Sequence, residues 1–192
     1  KQPVTTEEKK LPAATFTAKV RSDRLATTDY VKANMKKPDV QIVDARTPKE
    51  FSGDDIRSLR GGHIPGAILI PYEQNWVDPE AAKKLAEKKV TTRDGLAPKD
   101  AKALGELYKG LDPKKEVVAY CQTGTRSTLT YIALRSLGFQ KVRNYDDSWI
   151  VWGSRLDLPV ESVSYYDFVK VNAALQKLEA MKKQMEEMAK KK

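Results

Sequence analysis

The stretch Val117 to Ser127 reads VVAYCQTGTRS and holds the one cysteine of the chain, Cys121. An apolar run ends at Tyr120, the cysteine follows at once, then Gly124, then Arg126, and a helix-forming segment begins. A cysteine placed where a buried strand lets go is met by the backbone amides of the turn that follows and by the positive end of the helix behind it. Both favour thiolate over thiol. A free thiol with a pKa of about 8.5 is only a few per cent ionised at neutral pH; lowering it by about two units requires about 2.7 kcal/mol of differential stabilisation. Amides aimed at the sulfur, the helix end and the nearby Arg126 are the groups available to supply it. Gly124 fits because a tight cradle needs a residue with positive φ. Most lone cysteines are small buried hydrophobes, but the strand, glycine, arginine and helix around this one point to a nucleophile.

The elements that must hold this loop can be read on either side. Val40 to Ala45 (VQIVDA) is a short apolar run closed by Asp44 and Arg46, as expected of a buried parallel strand with functional side chains at its carboxyl end. Ala67 to Ile70, Glu116 to Tyr120 and Lys141 to Tyr145 read as further buried strands. Helices are predicted from Thr27 or Thr28 through Met35, over one turn at Thr47 to Phe51, from Pro79 to about Lys88, from Pro98 to Tyr108, and from Ser127 to Leu137 with Gly138 behind it. Strands separated by helices imply an α/β fold, a mainly parallel sheet with helices on both faces. Gly61, Gly62, Pro65 and Gly66 mark a sharp loop around His63.

At 192 residues the chain suits one such domain with appendages. Three parts are expected: a flexible lead-in over residues 1–14, a catalytic domain over 15–163, and a helical extension over 164–192. The net charge of +9 raises the possibility of nucleic-acid binding, but residues 1–24 carry +3 and residues 175–192 another +3. The excess sits in the two ends, which read as solvated tails rather than a polyanion site. No apolar run is long enough to span a bilayer, and one cysteine excludes an internal disulfide. No metal or cofactor is called for. From Tyr165 onward Phe168, Val171, Leu175, Leu178, Met181, Met185 and Met188 make an apolar stripe on a long helix. Packing back onto its own domain is the leading expectation, ahead of self-association or protein docking through residues 165–192 and of lying on a membrane surface. The chain begins with Lys1, read as a chain trimmed of a leader or a piece of a longer protein. With the Lys/Pro/Thr-rich lead-in, this leans toward a periplasmic or secreted location, with the cytoplasm as the other possibility.

Four pieces, VDAR at Val43–Arg46, GGHIPGA at Gly61–Ala67, YCQTGTRS at Tyr120–Ser127 and YDDSWIVWG at Tyr145–Gly153, together resemble the rhodanese family of thiosulfate and 3-mercaptopyruvate sulfurtransferases. The resemblance runs from about Phe16 to Val160 and is to the catalytic second half of tandem rhodaneses. It implies that Cys121 takes a sulfur atom from a small anionic donor, carries it as a persulfide and passes it to cyanide or a thiol. The loop Gln122, Thr123, Gly124, Thr125, Arg126 and Ser127 would hold the negative sulfur, and Arg126 would stabilise loop or substrate charge. Asp44 and Arg46 would brace the loop, Trp149 would pack beside the site, and Trp152 would belong to the core. His63 is read as shaping its turn, since a persulfide relay does not demand a base. Related phosphatases and arsenate reductases leave one more residue between cysteine and arginine, a cradle for a tetrahedral oxyanion; the shorter loop here suits sulfur.

Two departures from the family leave the donor open. Where tandem rhodaneses often carry an arginine for the donor, this chain has Glu50, and Arg57 and Arg60 are the candidates to substitute. Gln122 and Thr123 match neither the thiosulfate nor the mercaptopyruvate pattern of the loop, so modest thiosulfate activity is expected. The alternative reading is a persulfide carrier that docks a protein partner through the terminal helix; a binding module with vestigial chemistry is disfavoured by the intact loop.

Overall fold

The computed structural model describes residues 6, 12–19 and 21–190. Of the flexible lead-in expected over residues 1–14, only residues 6 and 12–14 are among them. Five strands form one parallel sheet: β1 (Leu25–Ala26), β2 (Val40–Asp44), β4 (Ile68–Leu69), β5 (Glu116–Tyr120) and β6 (Val142–Tyr145). Their order is β1-β6-β5-β2-β4. From β2 the chain passes to β4 on one side; from β5 it passes to β6 on the other. The carboxyl ends of β2 and β5 are therefore the point where the connections diverge, and Asp44 stands in register with Tyr120 there. Open parallel sheets place their sites at such a point.

Successive residues of the central strands face opposite layers, as the period of a strand requires. Ile42 and Val118 join Val31, Tyr145, Trp149 and Trp152 in one core cluster. Val43 and Val117 join Leu104, Tyr108, Leu134 and Phe139 in the other. The first layer is capped by α1 (Thr28–Asn34) and α6 (Ser148–Trp152), the second by α4 (Ala101–Tyr108) and α5 (Thr125–Ser136). This is the α/β architecture that the spacing of strands and helices predicts. Thr27 caps α1 by accepting from the Tyr30 amide, and Asp100 caps α4 by accepting from the Ala103 amide.

Several boundaries differ from expectation. The strand expected over Ala67–Ile70 shortens to two residues at the sheet edge, where Ile68 is exposed. The helix expected from Pro79 begins at Ala81 as α3 (Ala81–Ala86), and that expected from Pro98 begins at Ala101. A second sheet was not legible: β3 (Arg60–His63) pairs antiparallel with β7 (Glu161–Tyr165). Gly62 in β3 has φ +109, and a Cβ there would run into the Glu161 and Ser162 carbonyls of the partner strand.

The terminal helix α7 (Phe168–Lys190) forms as its periodicity predicts, but it does not pack back onto the domain. Phe168, Leu175, Leu178, Met181, Met185 and Met188 are all exposed, and only Val171 is half-buried. The period specifies an amphipathic helix, not what covers its apolar side. No helix among the described residues is long and apolar enough to cross a membrane.

Candidate active site

The base of the site is a buried ion pair. Asp44, at the end of β2, accepts from Arg46 Nη2 at 2.6 Å, from Arg46 Nε at 3.0 Å and from the Arg46 amide at 2.9 Å. The Tyr120 hydroxyl adds a donor to Asp44 at 2.6 Å. Arg46 also donates to the Gly62 carbonyl at 2.7 Å and lies 4.4 Å from the Trp149 ring centroid. A charge pair without solvent is tolerable only when fully hydrogen-bonded, and this one is satisfied by groups from β2, β3, β5 and α6. Asp44 and Arg46 thus tie the carboxyl ends of β2 and β5 to β3, with Trp149 packed over the guanidinium.

Cys121 is fully buried at the end of β5. Its backbone is fixed on both sides by α6: the Cys121 amide donates to Ser148 Oγ at 3.1 Å, the Trp149 amide to the Cys121 carbonyl at 3.0 Å, and the Ile150 amide to the Gln122 carbonyl at 2.9 Å. Ser148 sits at φ 51, in the left-handed region, and passes its own proton to the Tyr145 carbonyl at 2.7 Å. A non-glycine residue held there stores strain that its surroundings must offset. Gln122 ties the loop outward, donating from Nε2 to the Arg57 carbonyl at 2.8 Å.

The turn itself depends on Gly124, which has φ +80 and whose missing Cβ would lie 2.5 Å from Asp146 Oδ1 and 2.7 Å from the Asp146 carbonyl. Helix α5 starts at Thr125, two residues inside the expected loop, with Gly124 at its N-cap. Burial pushes the Cys121 thiol up. The amides of Ser127 and Thr123, then the Ser127 hydroxyl and the charge of Arg126, outweigh that and leave it below its ordinary value. The Ser127 hydroxyl also stands 2.9 Å from the Gly124 carbonyl and 2.7 Å from Asn144 Oδ1. One proton cannot serve every acceptor, so the amides carry the stabilisation.

Arg126 does not stand free. Its Nη1 and Nη2 donate to the two carboxylate oxygens of Glu50 at 2.8 and 2.7 Å, and its guanidinium lies 5.6 Å from the Tyr72 ring centroid. Glu50 belongs to α2 (Pro48–Ser52), where it accepts from the Thr47 amide at 3.0 Å in a capping box. Its side chain is completely buried. Burial alone would raise the Glu50 carboxyl; Arg126 and the Thr47 amide overcome it and hold it at about 2.

The two arginines expected to replace the family's donor ligand part company. Arg57 reaches the rim, half-exposed, with Asp55 at 2.6 Å and Glu50 at 3.9 Å. Arg60 does not face a donor. It is buried, and it donates to the carbonyls of Trp152, Gly153, Arg155 and Leu158. A guanidinium spends its donors on whatever carbonyls surround it, and here these belong to the end of α6 and the loop after it. Arg60 thus acts through α6, whose Trp149 Nε1 returns a hydrogen bond to the Arg60 carbonyl at 3.0 Å. His63 is held structurally, with Nδ1 2.8 Å from the Phe51 carbonyl, Nε2 3.2 Å from Glu161 and its ring stacked on Phe51. Sequence reasoning missed Ser148 and Tyr72 as site residues. It named Glu50 only as a departure, although Thr47-x-x-Glu50 is a legible capping box.

A cysteine held below its ordinary pKa by amides at the switch point of a parallel sheet, beside a buried Asp–Arg pair, is the arrangement of an activated thiol. The family model described as "Rhodanese-like domain" matches residues 27–155, and the chain belongs to that family. The chain is 38% identical over 136 residues to a thiosulfate sulfurtransferase of Azotobacter vinelandii, covering 71% of this chain and 45% of that one. It is 35% identical over 136 residues to one of Pseudomonas aeruginosa, with the same coverage. It thus spans about half the length of the curated relatives it matches. Among solved structures, it is similar to the wild-type structure of EanB, with a TM-score of 0.59 and 23% identity over 73% of this chain and 32% of that one. It is also similar to the anaerobic ergothioneine biosynthesis enzyme of Chlorobium limicola in complex with trimethyl histidine, with a TM-score of 0.58 and 20% identity over the same shares. Those two likenesses speak to the fold.

Proposed function

We propose that this chain is a sulfurtransferase that moves a sulfane sulfur from thiosulfate through Cys121 to cyanide or a thiol. The carrying observation is the single cysteine, held below its ordinary pKa by the Ser127 and Thr123 amides despite full burial. In the first step the Cys121 thiolate attacks the outer sulfur of thiosulfate. A new S–S bond forms, the old one breaks, and its electron pair leaves with sulfite. The negative charge passes to the outer sulfur of the persulfide, where the amides of the Gln122–Ser127 loop would receive it. In the second step the acceptor nucleophile attacks that outer sulfur and the Cys121 thiolate leaves. The thiosulfate sulfurtransferases at 35% and 38% identity support thiosulfate as donor. The test is thiocyanate formation from thiosulfate and cyanide, expected with the purified chain and absent in Cys121→Ser. Equal rates in both would overturn the proposal.

The second reading is a persulfide carrier whose acceptor is a protein docked on α7, favoured by the exposed stripe from Phe168 to Met188. Removing residues 175–192 separates the two: the carrier loses transfer to its protein acceptor while thiocyanate formation survives, and the small-molecule enzyme loses neither. The Lys/Pro/Thr-rich lead-in supports a periplasmic or secreted location. Fractionation of the source cells tests this, and recovery with the cytoplasm would refute it.

A further inference from the structure

Thiosulfate has an oxygen end as well as a sulfur end, and the oxygen end leaves as sulfite. Its oxygens accept hydrogen bonds, yet the side-chain cations at the mouth of the site are already engaged. Arg126 gives Nη1 and Nη2 to Glu50 at 2.8 and 2.7 Å, and Arg57 gives Nε and Nη2 to Asp55 at 2.9 and 2.6 Å. Thr123 and Thr125 are exposed to solvent. Tyr72 differs from all of these. It opens the short helical turn Tyr72–Asn75 after β4, and its amide donates to the Ala45 carbonyl at 3.0 Å, which anchors it at the end of β2. Its half-buried ring is set edge-on to Trp76, with centroids 5.1 Å apart, and stands 5.6 Å from the Arg126 guanidinium. Among the described residues its hydroxyl has no hydrogen-bond partner, although the charges of Glu73, Arg126, Glu50 and Cys121 all act on it. Arg126 acts on the Cys121 thiol as well, so the three groups gather at one place. Burial, the largest influence on the Tyr72 hydroxyl, pushes its pKa up, and it keeps its proton at neutral pH. A tyrosine held by its ring offers rigid contact and one directed hydrogen bond.

We propose that Tyr72 is a specificity-determining residue of the donor step: its hydroxyl donates a hydrogen bond to a sulfonate oxygen of thiosulfate and to the sulfite that leaves. This rests on the sulfurtransferase reading and deepens it by assigning a protein group to the oxygen end of the donor. The bond changes are those of the first step. The Cys121 thiolate forms an S–S bond to the outer sulfur, the S–S bond of thiosulfate breaks, and its electron pair leaves on sulfite. Tyr72 keeps its proton throughout. Charge on the departing oxygens grows as that pair is released, so the hydrogen bond is stronger in the transition state than in the bound donor. Sulfite that attacks the persulfide runs the same step backwards and makes the same contact. Cyanide has no oxygen, and its attack on the outer sulfur makes no use of the Tyr72 hydroxyl.

The experiment compares the wild-type chain with Tyr72→Phe, which keeps the ring beside Arg126 and Trp76 and removes only the oxygen. Loading of Cys121 by thiosulfate is followed by intact mass after rapid quenching. Chain loaded to completion and freed of donor is then mixed with sulfite or with cyanide, and loss of the added sulfur is timed in the same way. In Tyr72→Phe, loading by thiosulfate and unloading by sulfite are both expected to slow by about tenfold or more, a difference of ~1.4 kcal/mol, as for a lost hydrogen bond to a charged group. Unloading by cyanide should stay within about twofold of wild type. Slowing shared equally by sulfite and cyanide would overturn the assignment and leave Tyr72 a structural wall of the site, and so would rates that match wild type for both. The variant loses no internal hydrogen bond, so its urea midpoint should equal that of wild type; a clear drop would show that the hydroxyl serves the fold and would refute the inference. If the wild-type chain gains no sulfur from thiosulfate, the sulfurtransferase reading itself falls, and this inference with it.

Discussion

Replacing Ser148 should separate the stability of the site from its reactivity. Ser148 Oγ accepts from the Cys121 amide at 3.1 Å and donates to the Tyr145 carbonyl at 2.7 Å, and all three residues are buried. In Ser148→Ala the buried Cys121 N–H loses its acceptor, which costs about 1–3 kcal/mol. The residue stays at φ 51, so the backbone strain remains. Ser148→Gly loses the same hydrogen bond but relieves the left-handed conformation, recovering about 1 kcal/mol. Urea unfolding should therefore rank wild type first, Ser148→Gly second and Ser148→Ala last. Reactivity should not follow that rank. Both variants free the Cys121 backbone, so the Thr123 and Ser127 amides lose their aim. The thiol pKa then rises equally in both, read from the pH dependence of Cys121 alkylation by iodoacetamide. Unfolding midpoints and alkylation profiles that both coincide with wild type would refute the argument that α6 sets the cradle.

Further outcomes follow from other parts of the molecule. Gly124→Ala, which must place a Cβ 2.5 Å from Asp146 Oδ1 at φ +80, is expected to cost about 2–4 kcal/mol in urea unfolding and to raise the Cys121 pKa. Asp44→Ala leaves the Arg46 guanidinium buried without its carboxylate and should cost about 3–5 kcal/mol by the same assay. Glu50 falls from its ordinary 4.5 to about 2 on folding. Its contribution is complete above pH 4.5 and is lost as pH falls toward 2, worth about 3 kcal/mol in all; acid unfolding of Glu50→Gln should lack that segment. Removing residues 175–192 should move stability by no more than about 0.5 kcal/mol, because the side chains of the stripe that it deletes are exposed; a larger loss would mean that the helix is part of the domain.

The parts of this fold that could be read in advance are those with a strong local signature. The largely apolar runs Val40–Asp44 and Glu116–Tyr120 are central strands whose Ile42, Val43, Val117 and Val118 are buried on both faces, and such strands read as near-continuous hydrophobic runs. Cys121, Gly124 and Arg126 were legible because a cradle restricts residue type at fixed spacing. The β3–β7 sheet was not, because Arg60–His63 contains two glycines and no alternation, and its pairing with Glu161–Tyr165 joins segments far apart in sequence. Ser148 was hidden for another reason: nothing in a serine announces a positive φ or an acceptor for a distant amide. Arg60 misleads in the same way. A guanidinium in a sequence invites a substrate anion, whereas the partners of Arg60 are carbonyls fixed by tertiary packing. The exposed side of α7 shows the limit of periodicity, which identifies an apolar face without naming its cover.

The measurement that bears most directly on the central claim is the intact mass of the chain after incubation with thiosulfate, repeated after addition of cyanide. One added sulfur atom, about 32 Da, should appear on the wild-type chain and vanish with cyanide, since the chain has a single thiol and persulfides surrender their outer sulfur to a nucleophile. Cys121→Ser should show no gain. A wild-type chain that gains no sulfur from thiosulfate, or a Cys121→Ser chain that gains it, would contradict the account.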